Sequence, residues 1–217
     1  PSQVDPRTGE ILDADISFES LNSRAIRAIK SQYLSSPTAN EWRKLLQSPV
    51  GLDGKEVAHD HADGEACQHG DFVAEQLGFA MAALEAQGSL DPDDPNVEKF
   101  VLQALTDTTM HEVGHTLGLR HNFRSSKVYT EQQLSDPVFT AKHGLAGSVM
   151  EYAPINLPRP GEKGGTPWQT VIGPYDYWAI EYGYKPLSGG TEGEAAELKK
   201  IAARAGEAEL AYATDED

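Results

Sequence analysis

Three of the chain's seven histidines fall within eleven residues of the stretch MHEVGHTLGLRHNF, Met110 to Phe123, and their spacing constrains the fold more tightly than any other feature. On a helix, residues four apart lie on one face about one turn apart, so the imidazoles of His111 and His115 can converge on a single ion. Glu112 follows His111 by one position and is rotated off that axis. It can reach a water held at the same point without becoming a ligand, which is the placement a general base requires.

A catalytic zinc ion takes three protein ligands and keeps one position open, so a third ligand must come from beyond the straight helix. Gly118 supplies the means, because without a Cβ it can turn left-handed, end the helix sharply and bring His121 to the metal. Leu117 and Leu119, on either side, are expected to anchor that turn in the core. A single histidine is more often a satisfied polar residue or a solvated one. Here His, Glu, His, Gly and His stand at fixed intervals, each with its own mechanical reason. A closed structural zinc site favours four ligands and cysteine, which this set does not provide.

At 217 residues the chain is long enough for one domain with a sizeable core. Eighteen Lys and Arg against 34 Asp and Glu give a formal net charge of −16, so nucleic acid and anionic membranes would be repelled. The acidic surface favours solubility first and basic substrates only weakly. No apolar run is long enough to span a bilayer, and no signal-peptide pattern opens the chain. The start at Pro1 and the ending LAYATDED read as the limits of a segment from a larger protein. One cysteine, Cys67, excludes an internal disulfide.

The pattern along the chain is mostly helical. Turn signals from Asp5 to Gly9, followed by alternation through Ile16, predict a hairpin or edge strand over residues 1–17. Residues 18–95 form a helical segment: apolar residues from Phe18 to Leu34 recur at helical spacing, and Thr38 to Glu41 reads as a capping box before Trp42. A loop rich in Gly, Asp and His precedes a helix from Phe72 to Gln87 that closes at Gly88. Pro95 suits the first turn of the next helix, which is expected to run from about Asn96 to Leu117 with Val97, Val101, Ala104, Leu105 and Thr108 toward the core. Residues 96–121 thus hold the active-site helix and zinc motif, and residues 122–217 form a C-terminal subdomain. Within it, GGTEGEAAELKKIAARAGEAEL reads as a solvated helix.

HEVGHTLGLRH resembles the extended zinc-binding motif of the metzincin metallopeptidases. In that family a methionine turn lies beneath the zinc, and SVMEY, Ser148 to Tyr152, resembles it; the resemblance implies that Met150 packs under the histidine rings without binding the metal. Tyr152 stands two residues later, where some members carry a tyrosine that ligates zinc at rest and stabilises the oxyanion when substrate binds. GPYDYWAIEYGY resembles the last helix of metzincin domains, with Asp176, Ile180, Tyr182 and Gly183 in its characteristic places. The order of these segments, together with VDPRTGEILDADI, resembles a group of large bacterial zinc-dependent metalloproteases.

The fold implied is α+β and predominantly helical: one metzincin-like zincin catalytic domain over residues 1–217, with a long active-site helix, a Met-turn and a small sheet. Metzincin domains usually open with several strands, one of which holds extended substrate by strand addition. Here residues 18–110 are mostly helical in pattern, so those strands lie upstream of this segment or this group builds that part differently.

The implied activity is zinc endopeptidase hydrolysis with one catalytic Zn2+ held by His111, His115 and His121. Glu112 activates the zinc-bound water, Tyr152 assists, and Gly118 and Met150 give structural support. The partners expected are a peptide or protein substrate and the other domains of a larger parent chain, with no nucleic acid and no membrane span. The resemblance places the protein outside the cytoplasm: periplasmic, surface-bound or secreted. The alternative is a non-catalytic metal-containing binding module or scaffold of a larger secreted protein, against which the presence of Glu112 argues. An iron oxygenase commonly wants a carboxylate where His121 stands. His59, Asp60, His61, Asp63, Cys67 and His69 are all metal-capable, and a second metal there stays open beside the preferred reading of a solvated loop. Cys67 has no surrounding signature of a thiol nucleophile. His143 is expected at the surface or beside the ligands.

Overall fold

The computed structural model describes residues 2–14, 16, 67–86, 95–159 and 161–214. They fall in two compact units, Pro1–Thr108 and Thr109–Asp217. The expected helix from Phe18 to Leu34, the capping box at Thr38, and His59 and His61 lie outside the described residues.

In the first unit, strands β1 (Ser2–Val4) and β2 (Ile11–Ala14) pair antiparallel with Ser2 opposite Ala14 and Gln3 opposite Asp13, and a bulge follows Gln3. The turn between them closes as its Asp-Pro and Thr-Gly signals predict. Gly9 N–H donates to the Asp5 carbonyl at 2.8 Å with Gly9 at φ +76°. The Asp5 carboxylate accepts from Arg7 Nη2 at 2.7 Å and from Arg7 N–H at 2.8 Å, which holds its pKa below the usual range.

Helix α1 (His69–Ala86) buries Val73, Leu77 and Ala80 along one stripe. Helix α2 (Pro95–Thr116) buries Val101, Ala104 and Thr108, while Leu105 is half-buried. The spacing of each set is the three- and four-residue recurrence of a helix with one apolar face. Helix α1 begins three residues earlier than the apolar pattern indicates. His69, read from sequence as part of a solvated loop, is its first residue and only 1 % exposed, with Nε2 3.9 Å from Asp107 Oδ1. The earlier start is carried by a helical bond from Phe72 N–H to the Gln68 carbonyl at 2.9 Å.

In the second unit, α2 delivers His111 and His115 and is followed by a 3-10 turn at Ser125–Lys127. Helices α3 (Glu131–Leu134), α4 (Pro137–His143), α5 (Pro174–Tyr184) and α6 (Gly190–Ala202) come next. Helix α3 starts in a capping box of Thr130 and Gln133, and α4 starts at Asp136, whose carboxylate accepts from Val138 and Phe139 N–H. The solvated helix expected near the end is α6, where Ile201 is the buried residue. No helix among the described residues is long and apolar enough to cross a membrane. Six helices beside a two-stranded sheet make the described residues α+β, predominantly helical.

The core of this unit is small: Leu145, Ala146, Val149, Met150, Ala153, Trp168, Ile201 and Leu210. Much of the chain around it is irregular, so buried backbone groups need side-chain partners in place of a ladder. Gln169, 2 % exposed, is one such partner. Its Oε1 accepts from Leu145 N–H at 2.5 Å and Ala146 N–H at 3.0 Å, and its Nε2 donates to the Val171 carbonyl at 2.6 Å. Replacing it with an apolar side chain of similar size leaves two buried N–H groups without that acceptor. Gln169→Leu is expected to lower stability by about 3 kcal/mol, read as an earlier midpoint in urea unfolding. An unchanged midpoint would show that the Gln169 bonds contribute nothing net.

Candidate metal centre

The last turn of α2 ends as the glycine requires. Gly118 N–H donates to the His115 carbonyl at 2.9 Å and Leu119 N–H to the Gly114 carbonyl at 3.0 Å, with Gly118 at φ +83°. This pair of bonds closes a Schellman turn, in which a left-handed residue reverses the chain and satisfies the last helical carbonyls. Leu117 differs from expectation. It is 40 % exposed, because the reversal turns it outward, and its carbonyl accepts from the Tyr184 hydroxyl at 2.8 Å. Leu119 is half-buried.

The reversal brings His121 beside the two helical histidines. Ring centroids lie 4.8 Å apart for His111 and His115, 4.8 Å for His115 and His121, and 5.3 Å for His111 and His121. One nitrogen from each of the three rings lies within 4.8 Å of the others. Two of the rings are oriented from behind by main-chain carbonyls. His111 Nδ1 is 2.8 Å from the Val149 carbonyl, and His115 Nδ1 is 3.0 Å from the Leu119 carbonyl. A carbonyl only accepts, so each Nδ1 is the donor there and Nε2 is the ring nitrogen placed to serve as a ligand.

That arrangement fits zinc. His115 Nε2 and His121 Nε2 are 3.1 Å apart, a separation that either a shared proton or a bridging cation accounts for. Two 2.0–2.1 Å bonds from one tetrahedral ion would set their nitrogens about 3.3 Å apart. Imidazole nitrogen is a favoured zinc ligand, and three such ligands leave the fourth position free for chemistry.

The other predicted residues take distinct places. Glu112 is half-buried on α2, one residue past His111. Met150 is fully buried, and a Cβ built on Gly114 would lie 2.2 Å from its Sδ. The glycine between the two helical ligands is therefore the room in which the thioether sits. The Tyr152 hydroxyl is 3.3 Å from His121 Nε2, and its ring stands 5.4 Å from His111 and 5.4 Å from Phe123. Of the α5 residues, Asp176 is buried, Ile180 half-buried, and Tyr182 and Gly183 exposed. His143 stacks on Phe139 at 4.5 Å in its own helix. Cys67 is half-buried in the first unit.

Two buried carboxylates shape the segment that carries Met150. Asp176 Oδ1 accepts from the Ser148 hydroxyl at 2.5 Å, and its Oδ2 from Val149 N–H at 2.9 Å and Gly173 N–H at 2.8 Å. It thereby fixes Val149 by its N–H and, through the Ser148 hydroxyl that accepts from Met150 N–H at 3.0 Å, the next peptide, whose carbonyl orients His111. Glu151 accepts from Ser126 N–H at 3.0 Å and Tyr152 N–H at 3.1 Å, joining the segment after His121 to the residue before Tyr152. Burial pushes the pKa of both carboxyls up, outweighing hydrogen bonds that pull it down. The roles of Ser148 and Glu151 were missed in the sequence reading. The available signal was polar residues packed around a methionine in SVMEY.

The pH consequence follows from the direction of the shifts. A carboxyl whose pKa is higher folded than unfolded stabilises the fold fully below the unfolded value, 3.8 for Asp176 and 4.5 for Glu151. That contribution is lost as pH rises through the raised value. An asparagine at 176 can accept from Val149 and Gly173 and donate to Ser148. Asp176→Asn is expected to cost less than about 1 kcal/mol and to flatten the fall in stability above about pH 4, whereas Asp176→Ala is expected to cost about 3 kcal/mol. Urea unfolding across pH 4 to 8 checks both, and equal effects from the two substitutions would contradict the hydrogen-bond account.

Residues 93–217 match the family model described as Met-zincin. No curated protein and no solved structure matches the chain.

Proposed function

This chain belongs to the Met-zincin family, and we propose that it is a zinc-dependent endopeptidase. The observation that carries the reading is the convergence of His111, His115 and His121, one nitrogen of each within 4.8 Å of the others and two of the rings oriented by main-chain carbonyls. Zinc bound there supplies a Lewis acid that polarises a peptide carbonyl and makes water nucleophilic near neutral pH.

The protein's own groups do the rest. Glu112, one residue past His111 and outside the ligand set, takes a proton from the attacking water and returns it to the amine that leaves. The Tyr152 phenol, 3.3 Å from His121 Nε2, stands where it can donate a hydrogen bond to the developing oxyanion. Met150 fills the space that Gly114 leaves, and the family resemblance gives it the place of a methionine turn. No acyl-enzyme is formed, since water attacks directly. The substrate is a peptide or protein, the site of action is extracytoplasmic, and the segment works within a larger parent chain; these three points rest on the family resemblance.

Metal content by mass spectrometry, followed by a peptide-library cleavage screen, tests the assignment. The unaltered chain is expected to hold one zinc, and His121→Ala to bind it at least tenfold more weakly. Glu112→Ala should keep the metal and lose cleavage by about 10²–10⁴-fold. Tyr152→Phe should lower kcat by about tenfold or more with KM little changed. Equal zinc in the unaltered chain and His121→Ala, or full cleavage by Glu112→Ala, would overturn the reading.

A further inference from the structure

His111 and His115 are held by a helix, but His121 stands on an irregular segment, so other contacts must fix its place. The next residue, Asn122, is fully buried and bonded on every side. Its N–H donates to the Met150 carbonyl at 2.9 Å. Its Oδ1 accepts from Arg124 N–H at 3.3 Å and from Ala213 N–H at 3.3 Å, and its Nδ2 donates to the Ala211 carbonyl at 3.1 Å. Phe123 N–H then donates to the Ala213 carbonyl at 2.8 Å. A stretch some 90 residues downstream thus runs alongside the residues that follow the third histidine.

That downstream stretch is itself anchored. Leu210 is 3 % exposed, and Tyr212 stacks on Tyr175 of α5 at 5.5 Å with the rings 12° from parallel. Two of the bonds between the segments join main-chain groups to the buried Asn122 amide and a third joins main chain to main chain, a combination with little freedom to slide. Phe123 also packs on His121 and on Tyr152, at 5.4 Å in each case.

We propose that Leu210–Ala213 is a positioning strap for the third metal ligand. Through Asn122 and the Phe123 backbone it holds the His121 imidazole where its Nε2 meets those of the helical pair. The strap rests on the zinc reading, and it adds to that reading a dependence of metal affinity on residues that touch no ligand.

Zinc affinity by chelator competition, with thermal unfolding of the metal-free proteins alongside, tests it in five proteins besides the unaltered chain. Asn122→Ala removes the amide, and a chain ending after Tyr212 removes both bonds to Ala213 while keeping Leu210 and Tyr212. Asn156→Ala, whose half-buried amide donates to the Leu134 carbonyl at 2.8 Å and the Thr166 carbonyl at 3.1 Å, serves as a control for loss of a doubly bonded amide elsewhere. His121→Ala and its double variant with Asn122→Ala complete the cycle.

Asn122→Ala and the shortened chain are expected to bind zinc about 10–100-fold more weakly, Asn156→Ala to bind it normally, and the Asn122 effect to vanish once His121 is gone. An equal loss in Asn156→Ala, an undiminished Asn122 effect without His121, or normal affinity in both strap variants would overturn the strap and leave the metal site standing. An unaltered chain that takes no zinc would overturn the metal reading and the strap with it.

Discussion

Three imidazoles bring one nitrogen each within 4.8 Å of the others, and much of the second unit is arranged to hold them there. The Val149 and Leu119 carbonyls fix the rings of His111 and His115 from behind. A Schellman turn at Gly118 reverses the chain so that His121 can join them. The Met150 thioether packs into the space left by Gly114. Each device is individually worth little. Together they hold the three imidazoles in a geometry that a single cation fits.

The same unit shows how irregular backbone is kept in place. Where a sheet would satisfy its own N–H groups, here buried side chains do so: Asp176 for Val149 and Gly173, Gln169 for Leu145 and Ala146, and Glu151 for Ser126 and Tyr152. The carboxyl pKa values of Asp176 and Glu151 are pushed up, so desolvation exceeds what their hydrogen bonds return. Such groups are poor sources of stability at neutral pH. What they do provide is direction: Asp176 holds Val149 by its N–H and the following peptide through the Ser148 hydroxyl, and the carbonyl of that following peptide aims His111.

Local features were legible in the sequence because local physics creates them. The four-residue interval of His111 and His115 is a property of any helix, the handedness of Gly118 follows from its missing Cβ, and the hairpin turn follows from Asp-Pro and Thr-Gly. Contacts between distant residues left no periodic trace. Ser148 meets Asp176 across 28 residues and Asn122 meets Ala211 across 89. The sequence reading placed Asp176 in its helix by resemblance but did not foresee what it would hold. Leu117 shows the reverse error: an apolar residue beside a functional turn was expected inside, and the geometry of the turn itself put it out.

Zinc K-edge X-ray absorption on the metal-loaded 217-residue chain tests the central claim most directly. Three imidazole nitrogens at about 2.0–2.1 Å, with the outer-shell scattering of intact rings and one further light atom, is the result the account predicts. Fewer than three imidazoles, or a sulfur at about 2.3 Å in place of one of them, would contradict it.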